Sequence, residues 1–488
     1  MSKSVQTDVA IMGGGPAGLA AAIAVTEQGA KVAVFEKGST TGGTGNMGMG
    51  ILAVESKLQK AKQINLTRED AFRIFMDYTH WRVDARLVKS YIDQSASTID
   101  WLMEMGVEFV EPAAYFPGAN HTWHLVKPSW GGKPGPMSAS SMFKVMTENA
   151  RELGVTFYLN TPVKKLIKEG GKVVGLIAED ASGESIEVKA KAVIICTGGF
   201  GDNPDMIKKY TEYEWGKDMF SMRIPGISGD GIRLAWEAGA GAEGLNMEMI
   251  YMIPPSGEGA AMIPPAFQAF SQPNLTVNLQ GDRFLNEEIM GNTTFTGNAI
   301  ARQKQRCAFA IFDSRIKKIY EEEGPDIFNT VFPLEKIENI QDGITQAIAD
   351  GNKFVWITDS IDELAAKTGI DASGLKKTVE DYNKFCETGR DPQMNKRVKY
   401  LRPINEPKFY CAKLYPSAYG SLGGIKINYK TEVITKDFDV IPGLYAAGTD
   451  ACSIYGDSYV FVLPGNTMSF AINSGRMAGA NAAKYIKP

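Results

Sequence analysis

Asp8-Val9-Ala10-Ile11-Met12-Gly13-Gly14-Gly15-Pro16-Ala17-Gly18-Leu19 is the stretch that decides how this chain folds. Its first five residues are a short, mostly apolar run suited to a buried strand. Leu19 to Gln28 is Ala-rich and helical in character, and it ends at Gly29. A second strand is expected over Lys31 to Phe35, and it ends on Glu36. The pattern is G-x-G-x-x-G between a strand and a helix, with an acid closing the next strand, and it points to an α/β unit that holds a dinucleotide. Gly13 permits the tight turn, Gly15 lets a pyrophosphate reach the backbone, and Gly18 lets helix and strand approach. The helix N-terminus offers unpaired N–H groups to the phosphates. Glu36 is placed to accept both ribose hydroxyls, which favours an unphosphorylated adenosine ribose.

With 488 residues the chain is too long for one compact core, so two or more domains are expected. Hydrophobic residues make up 44% and charged residues 22%, as in ordinary globular proteins. The formal net charge is -4, and Lys and Arg form no long runs. That argues against a nucleic-acid footprint or a polybasic membrane patch. No stretch is apolar for long enough to span a bilayer. The first motif starts so early that a signal peptide has no room, and a cytoplasmic location is the expectation. Cys196, Cys307, Cys386, Cys411 and Cys452 are scattered without C-x-x-C spacing, which speaks against a cluster, haem or structural zinc site. Of the three histidines, His80, His121 and His124, the last two share the segment His121-Thr122-Trp123-His124. With no acidic or thiol neighbours they read as loop-packing residues rather than metal ligands.

The first motif alone suits NAD or FAD equally. Further motifs follow: Gly42-Gly43-Thr44-Gly45-Asn46-Met47-Gly48-Met49-Gly50; an apolar strand Ala190 to Cys196 running into Thr197-Gly198-Gly199-Phe200-Gly201; and Gly443-Leu444-Tyr445-Ala446-Ala447-Gly448, then Asn466-Thr467-Met468 and a small-residue segment to Ala483. Ser228-Gly229-Asp230-Gly231, Asp282-Arg283-Phe284-Leu285-Asn286-Glu287, Asp381-Tyr382-Asn383, Leu422-Gly423-Gly424 and Gly475-Arg476-Met477-Ala478-Gly479 complete the set. In this order the motifs resemble the fumarate reductase/succinate dehydrogenase flavoproteins, a family that includes L-aspartate oxidase and the 3-ketosteroid dehydrogenases. The resemblance runs through most of the chain.

The resemblance implies a Rossmann-like FAD-binding domain in two parts, 1–245 and 416–488, with an α+β capping domain, 246–415, inserted between them. It implies FAD held by Gly13, Gly15, Pro16, Ala17, Gly18, Glu36, Lys37, Gly42, Gly43, Thr44, Asn46, Gly48, Val163, Thr197, Gly198, Gly199, Asp230, Gly448, Thr449, Asp450, Asn466, Thr467 and Met468. Relatives carry Glu after Ala-Ala-Gly, toward the ribityl chain; Thr449 and Asp450 stand here instead. Relatives with covalent FAD have a histidine in the loop after the second strand, and none of the three is there, so non-covalent FAD is expected.

Within this frame Ser138 to Leu153 reads as an amphipathic helix, with Met142, Val145, Met146, Asn149 and Leu153 near helical spacing. Strands expected at Val155–Leu159, Lys172–Ala178 and Glu184–Val188 form a small β-layer on the FAD domain. Pro254 to Pro273 reads as loop and Asp362 to Thr388 as charged, mostly helical cap surface. A helix beginning near Asn466 directs its positive end at the flavin ring; a packing helix of small residues explains Ala471, Gly475 and Gly479 equally well.

The substrate side departs from the family. Where fumarate reductases carry two histidines and two arginines for a dicarboxylate, counting from the shared motifs gives Tyr251, Gly291, Gly420 and Val462. Without guanidinium clamps two carboxylates bind poorly. What remains is an aromatic and apolar set: Tyr251, Tyr419, Tyr455, Tyr459, Phe461, Val462 and Trp130. Tyr459, Tyr251 and Tyr419 are the candidate proton-transfer residues, with packing as the alternative role of each. Arg283 reads as a structural ion-pair partner and Asp457 as a turn residue. The chain is thus expected to be an oxidoreductase that reduces or forms a C=C bond conjugated to a carbonyl in a largely apolar, steroid-like or aromatic substrate. It exchanges electrons with NAD(P)H or a redox partner. An amine or amino-acid oxidase on the same fold, and a flavin-binding subunit active only with a partner, are the rivals.

Overall fold

The computed structural model describes residues 3–220, 222, 224–255, 264–331 and 333–487. At its centre lies a six-stranded sheet, ordered Glu432–Ile434, Val440–Ala446, Ala192–Ile195, Val9–Met12, Val32–Phe35, Thr156–Tyr158. All pairs are parallel except the outermost, between Glu432–Ile434 and Val440–Ala446. Val9–Met12, Val32–Phe35 and Ala192–Ile195 are buried on both faces, which is why they read as continuous apolar runs rather than alternating ones. Helix Pro16–Thr26 packs against helix Asn466–Tyr485. A Cβ on Gly475 or Gly479 would come within 2.3 or 2.5 Å of the carbonyls of Ala17 or Ala21, so these small residues set the spacing of the two helices.

A second sheet, ordered Lys3–Gln6, Ser185–Lys189, Lys172–Glu179, Val163–Glu169, forms the expected β-layer with changed membership, Val163–Glu169 being a strand the sequence reading did not include. Thr156–Tyr158 leaves the layer and instead extends the central sheet, pairing Val34 with Phe157; Lys3–Gln6 takes a place the sequence did not suggest. Both are long-range pairings, which local pattern does not encode. The third sheet joins Ala242–Met252, Phe409–Ile425, Ala308–Asp313 and Leu275–Val277, with Val355–Thr358 added on the long strand. The boundaries read at 245/246 and 415/416 fall inside its two longest strands, so β-structure runs continuously across both.

Helix Ser140–Glu152 and the pair Ile361–Thr368 and Ala372–Thr388 lie where the sequence places them. Pro265–Ser271 is a 3₁₀ helix within the segment read as loop, and 256–263 lies outside the described residues. No helix among the described residues is long and apolar enough to cross a membrane.

His124 corrects the loop reading: it lies fully buried on strand Trp123–Val126. Its Nδ1–H donates to the Thr122 carbonyl at 2.9 Å, which fixes the tautomer, and Nε2 accepts from the Ser56 hydroxyl at 2.6 Å. Burial pulls its pKa down to about 4 from 6.5. The folded ring therefore stays neutral while the unfolded one protonates, and stability is lost as pH falls from 6.5 through 4. The contribution is about 3 kcal/mol when fully lost. In guanidinium unfolding between pH 7 and 4, His124→Gln should remove that slope relative to wild type, although it is less stable at pH 7. An unchanged slope would show that His124 titrates normally in the fold.

Candidate flavin and substrate site

Two glycine loops form one wall. Gly13 has φ +98°, and a Cβ there would lie 2.3 Å from the Cys196 carbonyl; a Cβ on Gly18 would lie 1.9 Å from the carbonyl of Gly13. Strand, turn and helix therefore touch at backbone distance, as only glycine allows. The amide of Gly42 donates to the Gly14 carbonyl at 2.9 Å, and a Cβ on Gly43 would lie 3.3 Å from the Cα of Gly15. This brings Gly42, Gly43, Thr44 and Asn46 beside the first turn of helix Pro16–Thr26, with Asn46 Nδ2 donating to the Thr41 carbonyl at 3.0 Å. That helix begins on Gly15, which offers no side-chain cap. A Cβ on Gly15 itself would meet nothing within 4 Å. Uncapped amides facing open space suit a pyrophosphate.

The ribose end is organised around Glu36. Its carboxylate accepts from the amides of Gly14 and Gly38, both at 2.6 Å, so it is fixed in place while each oxygen keeps a lone pair for a hydroxyl. Thr161 N donates to the Glu36 carbonyl at 2.8 Å, which sets Val163 close by at the start of its strand. Lys37 and Asp230 pair with each other at 2.6 Å and lie at the rim.

Toward the ring end, a buried carboxylate braces the second turn. Asp450 accepts from the amide of Thr197, from Gly198 at 3.2 Å and from Gly199 at 2.8 Å. Burial pushes its carboxyl above the usual range and the amides oppose that shift. Asp450 thus shapes the Thr197-Gly198-Gly199 turn, and half-buried Thr449 lies against it, its Cγ2 being 3.1 Å from where a Cβ on Gly199 would sit. Gly448 donates to Ser474 Oγ at 2.9 Å, and Met468 covers Gly48, where a Cβ would lie 2.0 Å from the methionine Cε. Asn466 is buried and accepts from the hydroxyls of Tyr91 at 2.9 Å and Tyr455 at 3.0 Å, so both it and Tyr455 anchor the helix start. The residues present fit FAD: Glu36 would suit its ribose hydroxyls and the uncapped amides beyond Gly15 its pyrophosphate.

Beyond the ring end three tyrosines converge. Tyr459 accepts from the amide of Thr467 at 3.3 Å. Tyr419 and Tyr115 share a hydrogen bond at 3.4 Å. Tyr115 stacks on Trp123 at 5.6 Å and leans on Phe461 at 4.5 Å, with Phe116 stacked on Phe461 at 5.7 Å. Burial raises the pKa of Tyr459, Tyr419 and Tyr115. The Tyr251 hydroxyl is committed to the Met290 carbonyl at 3.2 Å, and burial raises its pKa too. A Cβ on Gly291 would meet Ile327 and Phe116 at 3.0 and 3.2 Å, whereas one on Gly420 meets nothing within 4 Å. The carbonyl of Val462 is tied to Asn120. Trp130, grouped with the pocket aromatics from sequence, is 61% exposed and stands outside this cluster.

Sequence reading missed Glu248, 7% exposed on strand Ala242–Met252. Its Oε1 accepts from the Thr467 hydroxyl at 2.5 Å, Tyr459 lies beside it, and burial raises its pKa to about 7. A lone acid in the otherwise apolar run Met247–Met252 was the available signal. Arg283 is what the sequence suggested: buried, and paired with Glu287 at 2.8 Å and Asp391 at 2.9 Å.

Comparison with known proteins places the chain in a family. The family model described as "FAD binding domain" matches residues 8–467. Vinyl phenol reductase of Lactiplantibacillus plantarum is 33% identical, over 99% of this chain and 98% of its own length. A fumarate reductase (cytochrome) of Shewanella frigidimarina is 30% identical, over 98% of this chain and 77% of its own. The open conformation of a flavocytochrome c3 fumarate reductase superposes over 100% of this chain and 79% of its own, with TM-score 0.71 at 25% identity. The chain belongs to the FAD binding domain family, in its fumarate reductase/succinate dehydrogenase group, and is an FAD-dependent oxidoreductase.

Proposed function

We propose that this protein reduces a C=C bond in a neutral, largely apolar aromatic substrate, with Tyr459 as the proton donor. The observation that carries the reading is the cluster of Tyr459, Tyr419 and Tyr115 among Trp123, Phe116 and Phe461, where burial keeps each of the three phenols protonated. A phenol held neutral carries the proton that reduction of the alkene consumes, although burial makes the phenolate left behind costly unless another group restores the proton. Bound FAD, once reduced, supplies the hydride. The chain's own residues do the rest. The aromatic rings exclude water and orient a flat substrate, the open space at Gly420 gives it room, and the Tyr459 hydroxyl protonates the second carbon. Vinyl phenol reductase, similar over nearly the whole of both chains, supports an aryl alkene as substrate. We take the electrons to come from NAD(P)H or a redox protein, and the FAD to be non-covalent.

The test is anaerobic: reduce the flavin, mix with 4-vinylphenol, aryl enoates, steroid enones or fumarate, and follow reoxidation. Fumarate should be slower than the best aryl alkene by about a hundredfold or more. With Tyr251, Gly291, Gly420 and Val462 at the positions compared, its carboxylates lose paired cations, each worth about 2–5 kcal/mol. Fumarate reacting fastest would mean that other cationic groups line the pocket and would sink the apolar-substrate reading.

A further inference from the structure

Five carboxylates are buried among the described residues: Glu248, Glu287, Asp313, Asp391 and Asp450. Four have strong N–H partners. Glu287 and Asp391 share Arg283. Asp313 accepts from the amides of Ile316, Asn405 and Glu406 at 3.0, 3.0 and 2.9 Å. Asp450 holds the amides of its turn. Glu248 has only hydroxyls, from Thr467 and Tyr459, and no cation offsets its desolvation. A buried acid left so poorly compensated is not explained by structural need, since an amide or a neutral side chain would fit at lower cost.

Its surroundings supply a use. The groups that face it are Thr467 on the C-terminal helix, Cys452, Tyr455 and Tyr459 from the segment before that helix, and Tyr419 on the neighbouring strand; all are neutral hydroxyls or a thiol. Tyr459 alone, giving up its proton, would become a buried phenolate beside a carboxyl group. Burial and the Glu248 charge both make that state costly.

We propose that Glu248 resupplies the proton of Tyr459, the two forming a relay that ends at the substrate carbon. The inference rests on the reading of Tyr459 as donor. As the phenolic O–H bond breaks toward the alkene carbon, the carboxyl O–H of Glu248 breaks toward the phenolic oxygen. The phenol is restored and the carboxylate carries the charge left over, while the hydride taken by the other carbon comes from the reduced flavin. A proton from water returns the carboxylate to the acid. Glu248 acts through Tyr459 and is a positioning and supply residue, not one that touches substrate.

Infrared spectra of the oxidised holoenzyme read the acid without any substrate. A carbonyl band of a buried protonated carboxyl should be present at pH 5, fade with a midpoint near 7, and be missing from Glu248→Gln. In Tyr459→Phe the midpoint should rise, because the hydroxyl that steadies the ionised form is gone. No such band, or a midpoint indifferent to Tyr459→Phe, overturns the coupling. In stopped-flow reoxidation of the dithionite-reduced holoenzyme by 4-vinylphenol, the wild-type rate should fall as pH rises through 7. Glu248→Gln should be about 10²-fold slower and flat with pH, and Glu248→Asp should recover part of the rate. Glu248→Gln with the wild-type rate and pH break sinks the relay but leaves Tyr459 as donor if Tyr459→Phe is slow. Tyr459→Phe at wild-type rate sinks both.

Discussion

The Gly15→Val protein is expected to purify folded and colourless. Gly15 has φ -78° and ψ -168°, extended backbone that valine adopts readily, and its Cβ would meet no protein atom within 4 Å. The chain itself gives no reason for the variant to unfold. The space the side chain fills is the one that the uncapped first turn of helix Pro16–Thr26 offers to a pyrophosphate. Displacing the phosphates leaves those amides unpaired, at about 1–3 kcal/mol each, so FAD affinity should drop by about a thousandfold or more. Gly18→Val is the contrasting variant. Its Cβ would lie 1.9 Å from the Gly13 carbonyl, so the turn must open and the chain itself loses stability. Absorbance near 450 nm together with the thermal midpoint separates the two. A yellow Gly15→Val protein would mean that the phosphates lie elsewhere. Acid precipitation of the wild type should leave FAD in the supernatant, since the loop 42–50 holds no histidine and both ring nitrogens of His124 are already engaged.

The parts of this site that were legible in the sequence are those where function rests on backbone close to its own neighbours in the chain. Gly13, Gly18 and Glu36 announce a turn, a close contact and an acid within one βαβ stretch, and the structure joins them through the amides of Gly14 and Gly38. The small residues of the last helix were equally plain, because Gly475 and Gly479 serve its own packing. What failed was long-range. Strand Thr156–Tyr158 has the composition of the β-layer but pairs with Val32–Phe35, a choice made by distant residues. Asp450 follows the Ala-Ala-Gly turn where relatives carry Glu, and the sequence does not show that its oxygens turn inward to three amides more than two hundred residues earlier in the chain. Glu248 was invisible for a similar reason: on its own strand it is one acid among apolar residues, and only the approach of Thr467 and Tyr459 gives it chemistry. Trp130, by contrast, drew notice as an aromatic residue although its loop carries it into solvent.

Tyr459→Phe should keep its FAD and lose about 10²–10⁴ in the rate of flavin reoxidation by the best alkene. The ring is 3% exposed and packs on Tyr455 at 5.1 Å and Phe461 at 5.8 Å, contacts that phenylalanine retains. Only the hydroxyl goes, and with it an acceptor for the Thr467 amide, a loss of about 1 kcal/mol in stability. A change of that size moves the thermal midpoint slightly but cannot slow a reaction by orders of magnitude in a protein that stays folded and flavin-bound. Since the Thr467 amide donates to the phenolic oxygen, the phenol's own proton is free to point at Glu248 or at substrate. The other tyrosines are less free. Tyr251 gives its proton to the Met290 carbonyl, and Tyr419 shares one with Tyr115. If Tyr459→Phe turns over at the wild-type rate, Tyr459 is a packing residue, and the donor is Tyr419, whose hydroxyl needs only to leave Tyr115 to reach the space beside Gly420.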